Sequence, residues 1–304
     1  MKDNIKEICS NELGGTPSEI TKIEGGLNSH TFRVSVDESD FVIQIGETAE
    51  PHELENCVKS FEFLKDSNVP VPEVISGLTE HDSLHFTVVE FIEGETLGED
   101  FSSLESENAG KILAEIHDSQ DFDEAGWIEW RDGKPIVTGF EEDSLKNRVK
   151  QLMEERAELF EERGLNELAE AATRFSNKYF KEIPENFKPV FVHHDFNPGN
   201  LLAENEEITA VLDFDYAHSS HPQRDLAKAS YKFWLRNGDR EDLYKGYQQV
   251  REIGESFSEN EALFQLESLL DEIAAMLDHE AITEEEASSY IDEIRRLEPK
   301  IRQD

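Results

Sequence analysis

The segment 193–200, which reads HHDFNPGN, combines residue types that the transfer of a phosphoryl group requires. Such a reaction needs a group that accepts the proton of the attacking hydroxyl, and it needs oxygen ligands for Mg²⁺. Asp195 can supply the first, and Asn200 offers a neutral amide oxygen for the second. A loop Asp and Asn can also simply bond to nearby backbone groups, so this segment alone leaves both interpretations open.

A second acidic segment, 211–215, reads VLDFD. Mg²⁺ prefers carboxylate and phosphate oxygens, and Asp213 at the end of an apolar strand is well placed to bind it. Asp215 would point to the same side of an extended chain, because side chains alternate along a strand. A solvated turn acid explains Asp215 better than it explains Asp213. The order strand, loop, short strand and Asp would bring the two segments side by side.

A glycine turn lies near the start of the chain, at Gly25, Gly26, Leu27 and Asn28. Between two strands, glycines let backbone N–H groups approach phosphates closely. A plain hairpin turn would have the same sequence, so the turn supports phosphate binding only together with the two acidic segments.

The elements that position these segments change in type along the chain. Alternating apolar residues predict strands at 20–24, 31–36, 41–45 and 84–91. One helix is predicted over 52–66, where the apolar residues recur at helical spacing. Beyond Gly94, helical periodicity dominates. The predicted helices span 102–117, 141–162, 166–182, 223–235, 241–253, 259–277 and 284–301, and short β segments are predicted at 190–193 and 208–213.

This pattern predicts an α+β fold with two lobes. Residues 1–91 would form a small antiparallel-sheet lobe that binds a nucleotide, and residues 92–304 a larger, mostly helical lobe that holds the catalytic and substrate-binding groups. The last helix begins with a predicted capping box, Thr283 with Glu286.

The composition is strongly acidic, with 69 Asp and Glu against 29 Lys and Arg and a formal net charge of −40. Such a chain repels itself in dilute salt, whereas at molar salt the Debye length falls to about 3 Å. We therefore interpret the charge as adaptation to a salt-rich cytoplasm, with attraction of cationic substrates as the alternative. Phosphate backbones and anionic membranes would be repelled, so neither nucleic acid nor a membrane is an expected partner.

The cysteine content and the hydropathy indicate an intracellular, cytoplasmic protein. Cys9 and Cys57 are the only cysteines, too few for a disulfide framework or a zinc cluster. No apolar run approaches the roughly 18 residues of a membrane span, and the first 15 residues lack the apolar region of a signal peptide.

Together the three segments resemble the aminoglycoside phosphotransferase and choline kinase family, which has the protein kinase-like fold. The resemblance covers nearly the whole chain. It includes the segments 69–72 (VPVP) and 89–94 (VEFIEG), His117 at the end of a helix, and Arg224-Asp225-Leu226.

The resemblance implies a kinase that moves the γ-phosphate of ATP, or of GTP, to a hydroxyl of a small molecule with the help of Mg²⁺. Asp195 would be the catalytic base, and Asn200 and Asp213 the metal ligands. His193 would brace the catalytic loop, and Asp225 would bond its backbone. The implied nucleotide-binding residues are Gly25, Gly26, Asn28, Gln44, Glu90, Phe91 and Ile92.

One departure concerns the strand at 41–45, where the family usually carries Lys or Arg and this chain has Gln44. Gln can donate a hydrogen bond but brings no charge, although Arg33 or Lys59 could compensate. The usual ion-pair partner is a Glu on the following helix, where Glu53 and Glu55 are candidates. This departure supports an alternative function, a kinase-like protein that binds nucleotide or regulates a partner without catalysis.

A second alternative is a metal-dependent hydrolase built on the acids together with His193, His194, His218 and His221. The intact set of Asp195, Asn200 and Asp213 favours the kinase over both alternatives. The segment 213–216, DFDY, is similar to the Asp-Phe-Glu-Tyr of choline kinases, which points to amino alcohols as acceptors. Sugars, hydroxylated amino acids and aminoglycosides are the other candidate acceptors.

Overall fold

The computed structural model describes residues 1–23, 29–46, 51–98, 101–231 and 240–301. Its N-terminal part is a five-stranded antiparallel sheet with the strand order β1-β2-β3-β5-β4. The strands are β1 (Glu19–Ile23), β2 (Ser29–Val36), β3 (Ser39–Gly46), β4 (Val74–His81) and β5 (Leu84–Glu90). The predicted antiparallel sheet is thus present, and β4 is an addition that the sequence analysis did not predict.

Two helices pack on this sheet, α1 (Lys2–Glu12) and α2 (Pro51–Leu64). Helix α1 was not predicted; it buries Ile5 and Ile8 in a small core with strands β2 and β3. Those strands join through a two-residue turn in which Asp37 and Glu38 both have positive φ, as a type I′ hairpin requires. The turn fixes a register in which Phe32 faces Ile43. Helix α2 buries its apolar face, as its periodicity predicts.

The C-terminal part is mostly helical, as predicted. Its helices are α3 (Ser103–Asp118), α4 (Leu145–Glu162), α5 (Asn166–Asn177), α6 (Pro222–Ser230), α7 (Glu241–Tyr247), α8 (Phe257–Asp278), α9 (Glu284–Ser288) and α10 (Ile291–Leu297). Its short strands are β6 (Glu95–Thr96), β7 (Trp127–Arg131), β8 (Lys134–Gly139), β9 (Val190–Val192), β10 (Leu201–Glu204), β11 (Glu207–Val211) and β12 (His218–Ser220).

Several predicted helix ends were wrong. The helix predicted over 141–162 begins at Leu145, because the side chain of Ser144 caps it. The helix predicted over 241–253 ends at Tyr247. The segment 284–301 is not one helix, since α9 ends at Ser288 and α10 begins at Ile291, but the predicted capping box of Thr283 and Glu286 is confirmed.

Helices α3 and α7 approach each other closely because both carry glycine at the crossing. A Cβ on Gly110 would lie 2.0 Å from the carbonyl oxygen of Leu243, and a Cβ on Gly246 would lie 1.8 Å from that of Glu107. No other residue type fits such a crossing without a backbone shift. The close approach brings His117, near the end of α3, to Tyr247 at the end of α7, and that contact supports the candidate active site.

Candidate active site

The loop after β9 contains the predicted catalytic segment, and a single buried carboxylate holds its backbone. Asp225 accepts hydrogen bonds from the backbone N–H groups of His193 and His194, each at 3.0 Å. It lies in the first turn of α6, where a helix N-terminus favours a negative charge. Asp225 therefore bonds the backbone of the loop that contains Asp195.

A third hydrogen bond reaches Asp225 from His117 Nε2 at 3.1 Å, and His117 Nδ1 in turn lies 2.7 Å from the hydroxyl of Tyr247. A neutral imidazole fits both contacts when Nε2 carries the proton and the Tyr247 hydroxyl donates to Nδ1. Burial alone would raise the pKa of Asp225, but the hydrogen bonds that its carboxylate accepts, from His117 and from the backbone N–H of His194, outweigh burial and lower the pKa to about 2. The carboxylate is ionised and fully bonded.

His193 connects the two acidic segments through both nitrogens of its ring. Its Nδ1 accepts the backbone N–H of Asp195 at 3.2 Å, and its Nε2 donates to the carbonyl oxygen of Leu212 at 2.9 Å. Burial lowers the pKa of His193, so the ring is neutral and the Nε2 tautomer satisfies both bonds. Because both ring nitrogens form hydrogen bonds, His193 is not a metal ligand in this structure. The alternative of a metal-dependent hydrolase thus loses one of its four candidate histidines.

One carboxylate oxygen of Asp195 accepts hydrogen bonds from two side-chain amides. Asn200 Nδ2 lies 3.1 Å and Asn197 Nδ2 lies 3.0 Å from Asp195 Oδ2. The amide nitrogen of Asn200 also donates to the carbonyl oxygen of Asp195 at 2.9 Å. With its nitrogen turned toward Asp195, Asn200 has its Oδ1 as the atom that can meet a metal ion.

The segment after β11 brings Asp213 beside this loop. The backbone N–H of Leu212 donates to the carbonyl oxygen of Asn200 at 2.8 Å, which holds the two segments side by side as the sequence predicts. Asp213 itself has a φ of +63°, a conformation that is uncommon outside glycine and often found at functional sites. Phe214 anchors the segment in the core against Phe61 and His193, with ring centroids 5.8 and 4.3 Å away.

Asp215 adds a second carboxylate to the same side of the segment. Asp213 and Asp215 both line the cleft, while Phe214 between them is buried. Burial, and then the charges of Asp213 and Glu53, raise the pKa of Asp215 well above its usual value. Its Oδ1 is buried and has no hydrogen-bond partner among the described residues. Carboxylate and amide oxygens around an unsatisfied buried oxygen are a donor set that fits Mg²⁺.

The cleft that these residues line has a volume of about 410 Å³. Asn200 and Asp213 face it from one side, and Gln44, Glu90, Phe91 and Ile92 from the other. The structure thus brings together the predicted metal ligands and the predicted nucleotide-binding residues of β3 and of the segment after β5. Gly25, Gly26 and Asn28 lie outside the described residues.

Neither cation that could compensate for Gln44 is among the described residues that line this cleft. Arg33 pairs with Asp40 and lies over the ring of Phe91, with its Cζ 3.9 Å from the ring centroid. Lys59 pairs with Glu62 on α2, at 2.7 Å. The charge of Glu53, a candidate ion-pair partner for a cation at position 44, contributes to the raised pKa of Asp215.

His194 and Arg224, next to the catalytic motifs, have partners that the sequence does not reveal. Arg224 forms a buried ion pair with Glu267 of α8, in which Nη2 and Oε1 are 2.6 Å apart and Nε and Oε2 are 2.9 Å apart. Its Nη1 lies 3.4 Å from His194 Nδ1, which accepts the bond because a guanidinium only donates. Nothing in the spacing of the chain could have identified Glu267, which lies 43 residues from Arg224.

Comparison with known proteins agrees with this geometry. The sequence model of the phosphotransferase enzyme family (APH) matches residues 19–261. No curated protein matches the chain. A thermostable mutant of aminoglycoside phosphotransferase APH(4)-Ia, solved with AMP-PNP and hygromycin B, has a TM-score of 0.71 at 18% identity, covering 97% of this chain and 98% of that one.

Two further solved structures are similar over nearly their whole length. Spectinomycin phosphotransferase APH(9)-Ia, solved with ADP and spectinomycin, has a TM-score of 0.67 at 15% identity and covers 96% of this chain and 93% of that one. A putative fructosamine-3-kinase from Thermobifida fusca has a TM-score of 0.66 at 15% identity, covering 97% and 98%. These likenesses confirm the predicted kinase-like fold, with a small sheet part and a larger helical part.

In the described parts of the chain, none of the helices combines the length and the hydrophobicity needed to cross a bilayer.

Proposed function

The chain belongs to the phosphotransferase enzyme family, and we propose that it is a small-molecule kinase that transfers the γ-phosphoryl group of a nucleoside triphosphate to a hydroxyl group. The observation that carries the proposal is that Asn200 and Asp213 line one cleft, while the amide of Asn200 donates a hydrogen bond to the carboxylate of Asp195. Relatives solved with AMP-PNP and with ADP support a nucleotide of the ATP type.

In this mechanism Asp195 is the catalytic base. The acceptor oxygen forms a bond to the γ-phosphorus, the bond from that phosphorus to the β,γ-bridging oxygen breaks, and the nucleoside diphosphate leaves with the electron pair. The proton of the acceptor hydroxyl passes to the carboxylate of Asp195. The amides of Asn197 and Asn200 hold that carboxylate in place, so positioning contributes a large part of the rate.

Asn200, Asp213 and Asp215 are the residues that would hold Mg²⁺. When bound, the metal ion would neutralise charge on the phosphate oxygens. We propose that the backbone N–H of Ile92 donates a hydrogen bond to the nucleotide base. Ile92 is chosen because the N–H groups of the two preceding residues, Glu90 and Phe91, already donate to the carbonyl oxygens of Glu73 and Asp40. Gly25, Gly26 and Asn28 would cover the phosphates.

The acceptor is a small molecule with a hydroxyl group. We place the enzyme in the cytoplasm of a cell with high internal salt, where the net charge of −40 is screened. The neutral Gln44 supports a second candidate function, that of a kinase-like protein that binds nucleotide without turnover.

The test is transfer of labelled γ-phosphate from ATP into a pool of small hydroxylated metabolites, with Mg²⁺ in molar KCl. Replacing the base in Asp195→Asn should lower turnover by about 10²–10⁴-fold while nucleotide binding is kept. Asp123→Asn, at an exposed acid, is the matched control and should behave as the wild type. Equal turnover in Asp195→Asn and the wild type would refute the proposed base. Nucleotide binding without any product from the wild type would favour the non-catalytic candidate.

A further inference from the structure

Helix α2 is joined to the segment that carries Asp213 by one amide side chain. Asn56 Nδ2 lies within hydrogen-bond distance of three carbonyl oxygens: 3.2 Å from that of Phe214, 2.9 Å from that of Asp215 and 2.9 Å from that of Ala217. These contacts span about 160 residues of sequence, and they gather the backbone on the C-terminal side of Asp213 around a single donor group. Cys57, the next residue of α2, also lies near this segment, since its thiol and the carboxylate of Asp215 influence each other's pKa.

The orientation of this amide is fixed from its other end. Asn56 Oδ1 accepts a hydrogen bond from Trp130 Nε1 at 2.9 Å. An indole N–H only donates, so it selects the amide orientation in which the oxygen faces Trp130 and the nitrogen faces the three carbonyls. Trp130 is itself packed against Phe63 and Phe191, with ring centroids 5.9 and 6.3 Å away. The β7–β8 hairpin thus orients Asn56.

Both helix α2 and the segment that contains Asp213 carry acids, so an uncharged side chain is well suited to join them. Glu53, one turn before Asn56 on α2, and Asp215 are both acids, and their charges interact. Gln44, on the strand where related kinases usually carry a cation, brings no charge. Helix α2 therefore approaches the acidic segment against like-charge repulsion. Hydrogen bonds from an uncharged amide hold that contact without an ion pair that molar salt would screen.

We propose that Asn56 is a positioning residue for the metal-binding segment, so that its hydrogen bonds to residues 214–217 hold Asp213 and Asp215 in the geometry that binds the metal–nucleotide complex. The inference rests on the proposed function, because it concerns the same cleft. Asn56 and Trp130 lie outside both acidic segments, 193–200 and 211–215, so their role is additional to those motifs. Asn56 acts through the backbone of this segment and is not expected to touch the nucleotide or the acceptor.

The experiment compares ADP binding by calorimetry in the presence of Mg²⁺ and in the presence of EDTA. Asn56→Leu removes the donor group with little change in volume, and it should weaken Mg·ADP binding about tenfold or more, because the hydrogen bonds to the segment are lost. ADP binding in EDTA should change less than twofold. Trp130→Phe removes the hydrogen bond that fixes the orientation of the Asn56 amide, so the amide can rotate. It should also weaken Mg·ADP binding, but by a smaller factor.

Ser60→Ala is the matched control on the same helix. Ser60 is buried and its hydroxyl bonds only one turn back, to the carbonyl oxygen of Asn56, so its loss affects α2 and not the loop. Ser60→Ala should keep Mg·ADP affinity within about twofold of the wild type, by the same hydrogen-bond reasoning. Trp130→Phe also provides a test if Asn56→Leu fails to fold.

Hydrogen exchange of residues 212–217 separates this inference from the proposed function. Exchange there should be faster in Asn56→Leu than in Ser60→Ala, whether or not the wild type turns over a substrate. If the wild type made no product, the proposed function would fail, whereas selective loss of Mg·ADP affinity and faster exchange would still support Asn56. Asn56→Leu and Trp130→Phe that match Ser60→Ala in both measurements would overturn the inference.

Discussion

The ring of His193 donates a hydrogen bond to the carbonyl oxygen of Leu212, 2.9 Å away. Because Asp195 and Asp213 are each close in sequence to one end of this bond, a single buried imidazole sets the spacing between the proposed base and a proposed metal ligand. The other ring nitrogen accepts the N–H of Asp195 itself, at 3.2 Å. Two segments that are separate in the sequence thus form one rigid unit.

Replacing this ring tests the connection. His193→Phe keeps the aromatic packing against Phe214 but removes both hydrogen bonds of the ring, the one from the N–H of Asp195 and the one to the carbonyl oxygen of Leu212. We expect kcat to fall about 10- to 100-fold, since two bonds of about 1 kcal/mol each are lost. His221→Phe is the control, because His221 is also buried but bonds to Gln223 at the start of α6. An unchanged kcat in His193→Phe would contradict the connection.

Asp225 makes the stability of the enzyme depend on pH in a defined window. Its pKa is lowered from 3.8 to about 2, so its contribution is fully present above pH 4 and is lost as the pH falls toward 2. We expect Asp225→Asn to be less stable than the wild type at pH 5. That difference in the free energy of unfolding should narrow by about 2 kcal/mol between pH 5 and pH 2.

Urea unfolding of both proteins at several pH values in molar KCl measures this difference. The subtraction removes the titration of the many other acids, which both proteins share. A difference that stays constant across the window would mean that Asp225 is not ionised with a lowered pKa in the folded protein.

The segments proposed to be catalytic can be recognised in the sequence because the pattern of each is local. Asp195 and Asn200 lie five residues apart, and the alternation around Phe214 already places Asp213 and Asp215 on one side of the chain. The roles of Asn56 and Tyr247 could not be predicted, because Asn56 lies 158 residues from Phe214 and 74 from Trp130, and Tyr247 lies 130 residues from His117. An isolated Asn on a helix has no periodicity that distinguishes it from a surface residue.

The β7–β8 hairpin was missed although the sequence contains a signal for it. Asp132-Gly133, flanked by alternating apolar residues, is the typical two-residue hairpin turn, and both residues have positive φ in the structure. The interruption between α9 and α10 carries no comparable signal. There the helical periodicity continues across residues 289–290, although α9 ends at Ser288 and α10 begins at Ile291.

Gln44 is the position at which a charge should have the clearest effect on nucleotide binding. It lines the cleft together with Asp213 and Asp215. Gln44→Lys would place a cation near the phosphates, where a charged hydrogen bond is worth about 1 kcal/mol more than a neutral one. We expect the KM for the nucleotide to fall about fivefold to tenfold at low salt, and less in molar KCl because the charge is screened.

Gln44→Met, with similar length and no charge or donor, is the control and should raise this KM slightly. Steady-state kinetics at two KCl concentrations would measure both variants. If Gln44→Lys left the KM unchanged at low salt, position 44 would not face the phosphates.

Removing one partner of the buried ion pair between Arg224 and Glu267 should destabilise the fold more than removing both partners. Both side chains are less than a tenth exposed, so removing one leaves an uncompensated charge in the core. Arg224→Met should lower the free energy of unfolding by about 3–5 kcal/mol. The double variant Arg224→Met with Glu267→Leu should recover most of that loss, because an apolar pair of similar volume needs no charge compensation.

An exposed pair provides the comparison for this last experiment. Arg295 and Glu167 are both about 60% exposed, and Arg295→Met should cost less than about 1 kcal/mol because water screens such a pair. Urea is the suitable denaturant, since guanidinium would itself change the ionic strength. If the double variant were as unstable as Arg224→Met alone, the loss would come from packing or from the contact of Arg224 with His194, and the buried charge would not be its cause.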